Sequence, residues 1–162
     1  MDRFKGIVIK KSDFQESDKI ISIYTEELGK INFMLKGGKK ILSKMSPHLE
    51  LFNHVCVNYA EGKNFKIITG VEVLNSFPGI KKSFEKIETA LRIADHFNKY
   101  IIGEATDPEL FKFLIRNLTQ LNNNVLVNNE AFITSFAKEF FKILGYDEES
   151  KDIPHLENKS IC

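Results

Sequence analysis

ESDKIISIYTEELGKINFMLKGGKK, residues 16–40, changes character twice within one short stretch. Residues 19–25 and 30–35 gather Ile, Tyr, Phe, Met and Leu in the brief runs that β-strands use, and TEELG between them has the length and the glycine of a hairpin turn. The end of the stretch is cationic. From Lys30 to Lys44 there are five lysines and no carboxylate, a local formal charge of +5. A hairpin that empties into a basic loop is therefore predicted.

The residues on either side of this hairpin follow the same period of two. Residues 3–10 place Phe4, Ile7 and Ile9 among polar neighbours, residues 53–59 alternate Val55, Val57 and Tyr59, and residues 65–74 are rich in Ile and Val. Breaks fall at 12–18, 26–29, 37–47 and 60–64. Five antiparallel strands in so short a span would leave two naked edges, so a small closed or nearly closed barrel is expected, OB-like or SH3-like. The 37–47 connection then projects from it between the third and fourth strands.

Phe77-Pro78-Gly79 marks a change of period. Phe84, Ile87, Leu91, Ala94 and Ile101 form a helical stripe over about 81–102. Asp107-Pro108-Glu109 opens a second helix, with Thr106 or Asp107 as its cap and Glu109 spaced for a capping box with Thr106. Asn122-Asn123-Asn124 interrupts it. A third helix carries Phe132, Ile133, Phe136, Ala137, Phe140, Phe141 and Leu144 up to Gly145, a residue suited to helix termination. The fold class is thus α+β. The five-stranded barrel, OB-like or SH3-like, is assigned to residues 1–77, and an all-helical domain with a short acidic tail (DEESKD, then Pro154) to residues 78–162.

Composition fits a folded, water-facing chain: 43% apolar with 14 Phe, and 28% charged. The net charge of +1 hides an uneven distribution, with 12 Lys/Arg against 9 Asp/Glu up to residue 80 and 11 against 13 beyond it. A basic front and an acidic rear suit a chain that meets a polyanion with one part only. MDRFKGIVIKK carries charge through the region a signal peptide keeps apolar, and no apolar run approaches membrane-spanning length. A cytoplasmic location without membrane contact is expected.

Reactive groups are sparse. His48, His54, His96 and His155 have no metal-ligand spacing, and Cys56 and Cys162 have no local partner. Asp13, Glu16 and Asp18 depart from the calcium-loop pattern and read as turn solvation and salt bridges. Lys36-Gly37-Gly38-Lys39-Lys40 lacks the GxxxxGK[ST] order of a nucleotide-binding loop. No catalytic residue and no cofactor are assigned, and the chain is not expected to be an enzyme.

The basic strip fits binding better. Lys30, Lys36, Lys39, Lys40 and Lys44 can contact phosphates without regard to base identity, and Gly37 permits close backbone approach. Arg3, Lys5 and Lys10 enlarge this surface if the barrel brings the first strand near. Phe33, Tyr59 and Phe65 are either stacking platforms for bases or core residues. A merely solubilising loop is the alternative for the lysines.

Ordered pieces of the chain resemble the RecO family of recombination mediator and DNA repair proteins. They are GIVIKKSDFQESDKIISIYTEELGKINFMLKGGKK at 6–40, PHLELF at 47–52, NSFPGI at 75–80, DPELFKFL at 107–114 and LGY at 144–146. The most specific elements are Glu16-Ser17-Asp18, a T-x-x-x-G-K pattern at Thr25, Gly29 and Lys30, and a K-G-basic pattern at Lys36, Gly37, Lys39 and Lys40. The resemblance implies an oligonucleotide-binding barrel followed by helices. It implies binding of single- and double-stranded DNA and strand annealing. With RecR, it also implies help for the RecA recombinase in replacing single-strand DNA-binding protein, without nucleotide hydrolysis, on the nucleoid. It further implies a helical groove for the acidic tail of single-strand DNA-binding protein, with Lys112, Arg116 and Lys138 as charge partners and Phe111 and Phe141 as groove residues.

Relatives commonly continue past the LGY position and carry a four-cysteine zinc insertion. Here there is no C-x-x-C, so no zinc site is expected, and the chain reads as a naturally short relative or a truncated product. A competing expectation is a non-enzymatic barrel-plus-helix interaction protein that binds RNA or an acidic protein.

Overall fold

Five strands, β1 (Asp2–Phe14), β2 (Asp18–Thr25), β3 (Gly29–Leu35), β4 (His54–Glu61) and β5 (Lys66–Asn75), close a barrel in the order β1-β2-β3-β5-β4. The structure is a computed structural model and describes residues 2–40, 43–125 and 128–146. The predicted acidic tail, with His155 and Cys162, lies outside the described residues. Every neighbouring pair is antiparallel except β3–β5, which is parallel and joined at Phe33↔Lys66 and Met34↔Ile67. This order, closed by the parallel pair, is the OB arrangement, and the SH3-like alternative falls away.

β1 runs through residues 12–14, where a break was predicted. Its first half pairs with β4 from Asp2↔Tyr59 to Ile7↔His54, and its second half stays with β2 as far as Phe14↔Asp18. The β1–β2 register shifts between Val8 and Lys10, so Ile9 is an extra residue that bends the strand and lets it serve both neighbours. The barrel interior holds Phe4, Val8, Ile21, Ile23, Phe33, Val57 and Tyr59. The outer faces of β1 and β2 are apolar too: Ile7, Ile9 and Tyr24 belong to a second core shared with the helices. Burial on both faces explains why the strand alternation is imperfect there.

The helices are α1 (Pro78–Lys81), α2 (Phe84–Tyr100), α3 (Pro108–Asn123) and α4 (Asn129–Ile143). Ser83, Asp107 and Asn128 cap the three long ones, each side-chain oxygen accepting from a backbone N–H three residues on. Asp107 is therefore the cap of α3, and the capping box between Thr106 and Glu109 does not form. The Thr106 hydroxyl instead donates to the Glu27 carbonyl at 2.8 Å, tying the α2–α3 connection to the β2–β3 turn. LGY is a helix stop. Gly145 adopts φ 89°, its N–H donates to Lys142 O, Tyr146 N–H donates to Phe141 O, and the Tyr146 and Phe141 rings pack at 5.6 Å. This is the paired hydrogen-bond arrangement of a Schellman motif with its apolar contact.

The core joining barrel to helices is largely aromatic. Phe97 of α2 packs edge-on to Tyr24 at 4.9 Å and lies 5.3 Å from Phe140, and Phe113 stacks on Phe136 at 5.0 Å. His96 sits among Tyr100, Phe136, Phe140 and Phe141 and donates from Nδ1 to the Arg92 carbonyl at 2.7 Å. Burial outweighs that hydrogen bond and lowers the His96 pKa, and burial lowers the His54 pKa likewise. An imidazole depressed in the fold takes its proton more readily in the unfolded chain. Its contribution to stability is whole above the unfolded pKa of about 6.5 and is lost as pH falls through that value toward the folded one. The urea midpoint should therefore drop between about pH 7.5 and about pH 5.5, and should drop less in His96→Phe. His54 supplies the slope that remains.

Candidate nucleic-acid interface

Antiparallel pairing at Lys19↔Leu35 means that Asp18 and Lys36 leave the β2–β3 ladder together. The chain uses this proximity to build the basic loop. Asp18 Oδ1 accepts from the Gly37 N–H at 2.9 Å, the Ser17 carbonyl accepts from the Lys39 N–H at 3.0 Å, and Lys39 Nζ donates to the Gln15 carbonyl at 3.0 Å. The Lys39 ammonium also lies 3.9 Å from the Asp13 carboxylate. Gly37 sits at φ 68°, a conformation costly to any residue with a Cβ. Asp18, read from sequence as turn solvation, is thus the anchor of the loop. The 15–18 turn forms its floor. Lys36, Lys40 and Lys44 are exposed and make no ion pair among the described residues, whereas Lys39 is partly committed to holding the turn.

The other predicted contacts do not all join this surface. Lys5 and Arg3 lie just beyond the Gly6↔Thr25 pair, beside the β2–β3 turn, where β1 pairs with β4. There Arg3 pairs with Glu72 at 3.3 Å, the Lys5 N–H donates to the Glu27 carboxylate, and Glu26 and Glu27 make the local surface acidic. Arg3 is thus engaged by a carboxylate, and Lys5 stands beside two more.

Lys10 is exposed midway along β1, opposite Ser22. Lys30 is a joint residue. Its ammonium donates to the Asn98 carbonyl at the end of α2 at 2.9 Å, and burial, helped by Lys10, lowers its pKa. Tyr59 is inside the barrel, 8% exposed and stacked on Phe4 at 5.0 Å, so it is not a surface platform. Phe33 is fully buried beside it.

The T-x-x-x-G-K residues serve the same joint. The buried Thr25 hydroxyl donates to Gly29 O at 2.7 Å and accepts from the Leu28 N–H at 3.0 Å, closing the turn. Gly29, at φ 76°, lets Ala105 of the α2–α3 connection approach its backbone.

Closure of β3 on β5 brings together residues that are distant in sequence. The β1–β2 turn and the 62–65 turn between β4 and β5 meet at the same end of the barrel as the basic loop. Phe14 and Phe65 touch there edge to face, with centroids 5.6 Å apart at 67°, and both are half-buried. Beyond Phe65 a cleft runs between barrel and helices, lined by Lys30, Asn32, Lys63, Asn64 and Lys66, with Gly103 and Glu104 on the opposite wall. Lys63 is exposed, and Lys66 pairs with Glu61 at 3.2 Å. Phe14 and Lys63 were missed in the sequence. Both lie within breaks that were visible there, at 12–18 and 60–64, but only the barrel closure shows that the breaks converge. In OB-type barrels the first and last of these hairpin loops flank the oligonucleotide-binding face.

On the helices, Phe111 and Phe141 are 5% and 4% exposed. Phe111 packs against Tyr24 and His54 at the barrel, and Phe141 against Tyr100 and Phe140. Their assignment as groove residues is corrected, since both rings are buried in the shared core; Phe84, placed in the stripe of α2, is instead 77% exposed. Arg116 pairs with Glu139 and lies over the Phe113 ring at 5.5 Å, bracing α3 against α4. Lys112 is exposed, and Lys138 lines a shallow α3–α4 groove with Glu109, Ser135, Glu139 and Lys142. Among the described residues there is no cluster of three or more His, Cys, Asp or Glu side chains able to hold a metal ion, and no helix is long and apolar enough to cross a membrane.

Strand order and basic end together define an OB-type barrel with a cationic, turn-anchored loop, joined to a helical unit through a common core. Residues 1–77 match the family described as recombination protein O N terminal. Similarity continues through the helices. The chain is 32% identical to the DNA repair protein RecO of Dehalococcoides mccartyi strain BAV1 over 158 residues, 96% of this chain and 60% of the relative. It is 28% identical to that of Geobacter metallireducens over 145 residues, 89% of this chain and 58% of the relative. It is also 28% identical to that of Syntrophomonas wolfei over 160 residues, 99% of this chain and 61% of the relative. The similarity to RecO proteins thus runs along nearly the whole chain, which spans about three fifths of the length of these relatives.

Proposed function

We propose that the chain is a non-enzymatic DNA-binding protein of recombinational repair that captures phosphate backbones on the loop end of its barrel. The observation that carries this reading is the basic loop itself: Lys36 and Lys40 are exposed on either side of backbone amides, at Gly37 and Lys39, that Asp18 and Ser17 hold in place, and Lys44 is exposed further along. Ordering such a loop in advance leaves less entropy to lose on binding. Phosphate contacts of this kind serve single strands and duplexes alike. That supports a role in bringing complementary strands together and in helping RecA displace single-strand DNA-binding protein in partnership with RecR. The α3–α4 groove with Lys138 and Lys142 is the place on the helices where the acidic tail of single-strand DNA-binding protein would be met, and Lys112 lies on an adjoining exposed face.

The test is salt-dependent binding to a short single strand. Lys36→Gln, Lys40→Gln and Lys44→Gln combined should weaken binding at low salt by roughly tenfold or more and reduce the slope of log affinity against log salt by about two. Lys39 is left intact because it braces the turn. An unchanged slope would remove the loop from the DNA contact. Tight binding to RNA or to an acidic peptide with none to DNA would favour an interaction protein of another kind.

A further inference from the structure

The loop lysines give no reason to prefer unpaired over paired DNA, but the aromatic contact beside them does. Phe14 ends β1 one residue before Gln15, whose carbonyl holds Lys39, and Phe65 begins the cleft that contains Lys63, Asn64 and Lys66. The two half-buried rings therefore stand between the basic loop and a second set of cationic and amide side chains. Their edge-to-face geometry at 67° uses only one ring face for the mutual contact, unlike a parallel stack. Tyr59, by contrast, is stacked in parallel on Phe4, at 12°, inside the barrel.

We infer that the Phe14–Phe65 pair is a base-stacking platform that makes this end of the barrel selective for single-stranded DNA. The inference rests on the proposed DNA-binding role and assigns that site its preferred form of DNA. A duplex has its base faces covered by its own neighbours and can offer the rings only backbone. A single strand can lay a base on either ring while its phosphates reach Lys36 or Lys40 on one side and Lys63 on the other. Asn64 adds an amide at the cleft wall for a base edge or sugar. Stacking of this kind is tolerant of sequence, because every base has a π face.

Phe65→Leu and Phe14→Leu keep apolar bulk at the barrel mouth and remove the π surface. Each should weaken binding of a short oligothymidine by about tenfold. Each should leave affinity for a duplex of equal length, and the salt slope, unchanged, so the duplex serves as the control for folding. Phe65→Tyr should restore single-strand affinity. A 2-aminopurine placed in the strand should lose fluorescence on binding to the wild-type chain and lose less on binding to the leucine variants. Equal losses for strand and duplex, or no loss for either, overturn the inference. If the lysine variants lower binding and the leucine variants do not, only the stacking assignment fails. If the wild-type chain binds neither form of DNA, the proposed function fails with it.

Discussion

Gly29→Ala is expected to cost about 3 kcal/mol of stability. Two effects combine. At φ 76° the backbone is in the left-handed region, and a Cβ there would lie 2.5 Å from the Ala105 carbonyl oxygen and 2.8 Å from its nitrogen. Gly103 is the control. It has nearly the same backbone conformation, φ 77°, but nothing lies within 4 Å of a Cβ built on it, so Gly103→Ala should cost only about 1 kcal/mol. Urea unfolding of the two variants separates backbone strain from the crowding of the barrel–helix joint. Equal losses would mean that Ala105 yields and that the joint is softer than its geometry requires.

The second large effect is expected at Phe97, which is fully buried between Tyr24 of the barrel and Phe140 of α4. Phe97→Ala removes a ring from the centre of the shared core and should cost about 3–5 kcal/mol, whereas Phe97→Leu should cost less than about 1.5 kcal/mol. Because the ring touches both parts of the chain, the alanine variant should lower the unfolding midpoint seen by a barrel probe and by a helix probe together. A loss confined to helical circular dichroism would show that the barrel stands without its neighbour.

Much of this architecture was legible beforehand. The strands show period two, the helices show apolar stripes between capping residues, and the charge after the third strand stands out because no carboxylate interrupts it. What could not be read is what closure decides. β3 meets β5 at only two paired positions, and no local pattern announces them. Yet that contact puts Phe14 beside Phe65 and turns Tyr59 inward. Arg3 and Lys5 were assigned correctly to a strand, but alternation reports only the face of a residue and does not announce the carboxylates, Glu72 and Glu27, that tertiary pairing sets beside them. Lys30 belonged to the same charge run as the loop lysines, and only the tertiary contact with Asn98 distinguishes it from them. Thr106 and Asp107 were equal candidates as caps because both carry a suitable oxygen. The Glu27 carbonyl, far away in sequence, took the first and left the second.

The separation of charge along the hairpin has an electrical consequence. One end of β2 and β3 carries the open lysines, and the other carries Glu26 and Glu27, while the whole chain is nearly neutral at +1. Such a body feels little net pull from a distant polyanion but a definite torque once within a screening length. It turns before it touches, and arrives with its lysines leading.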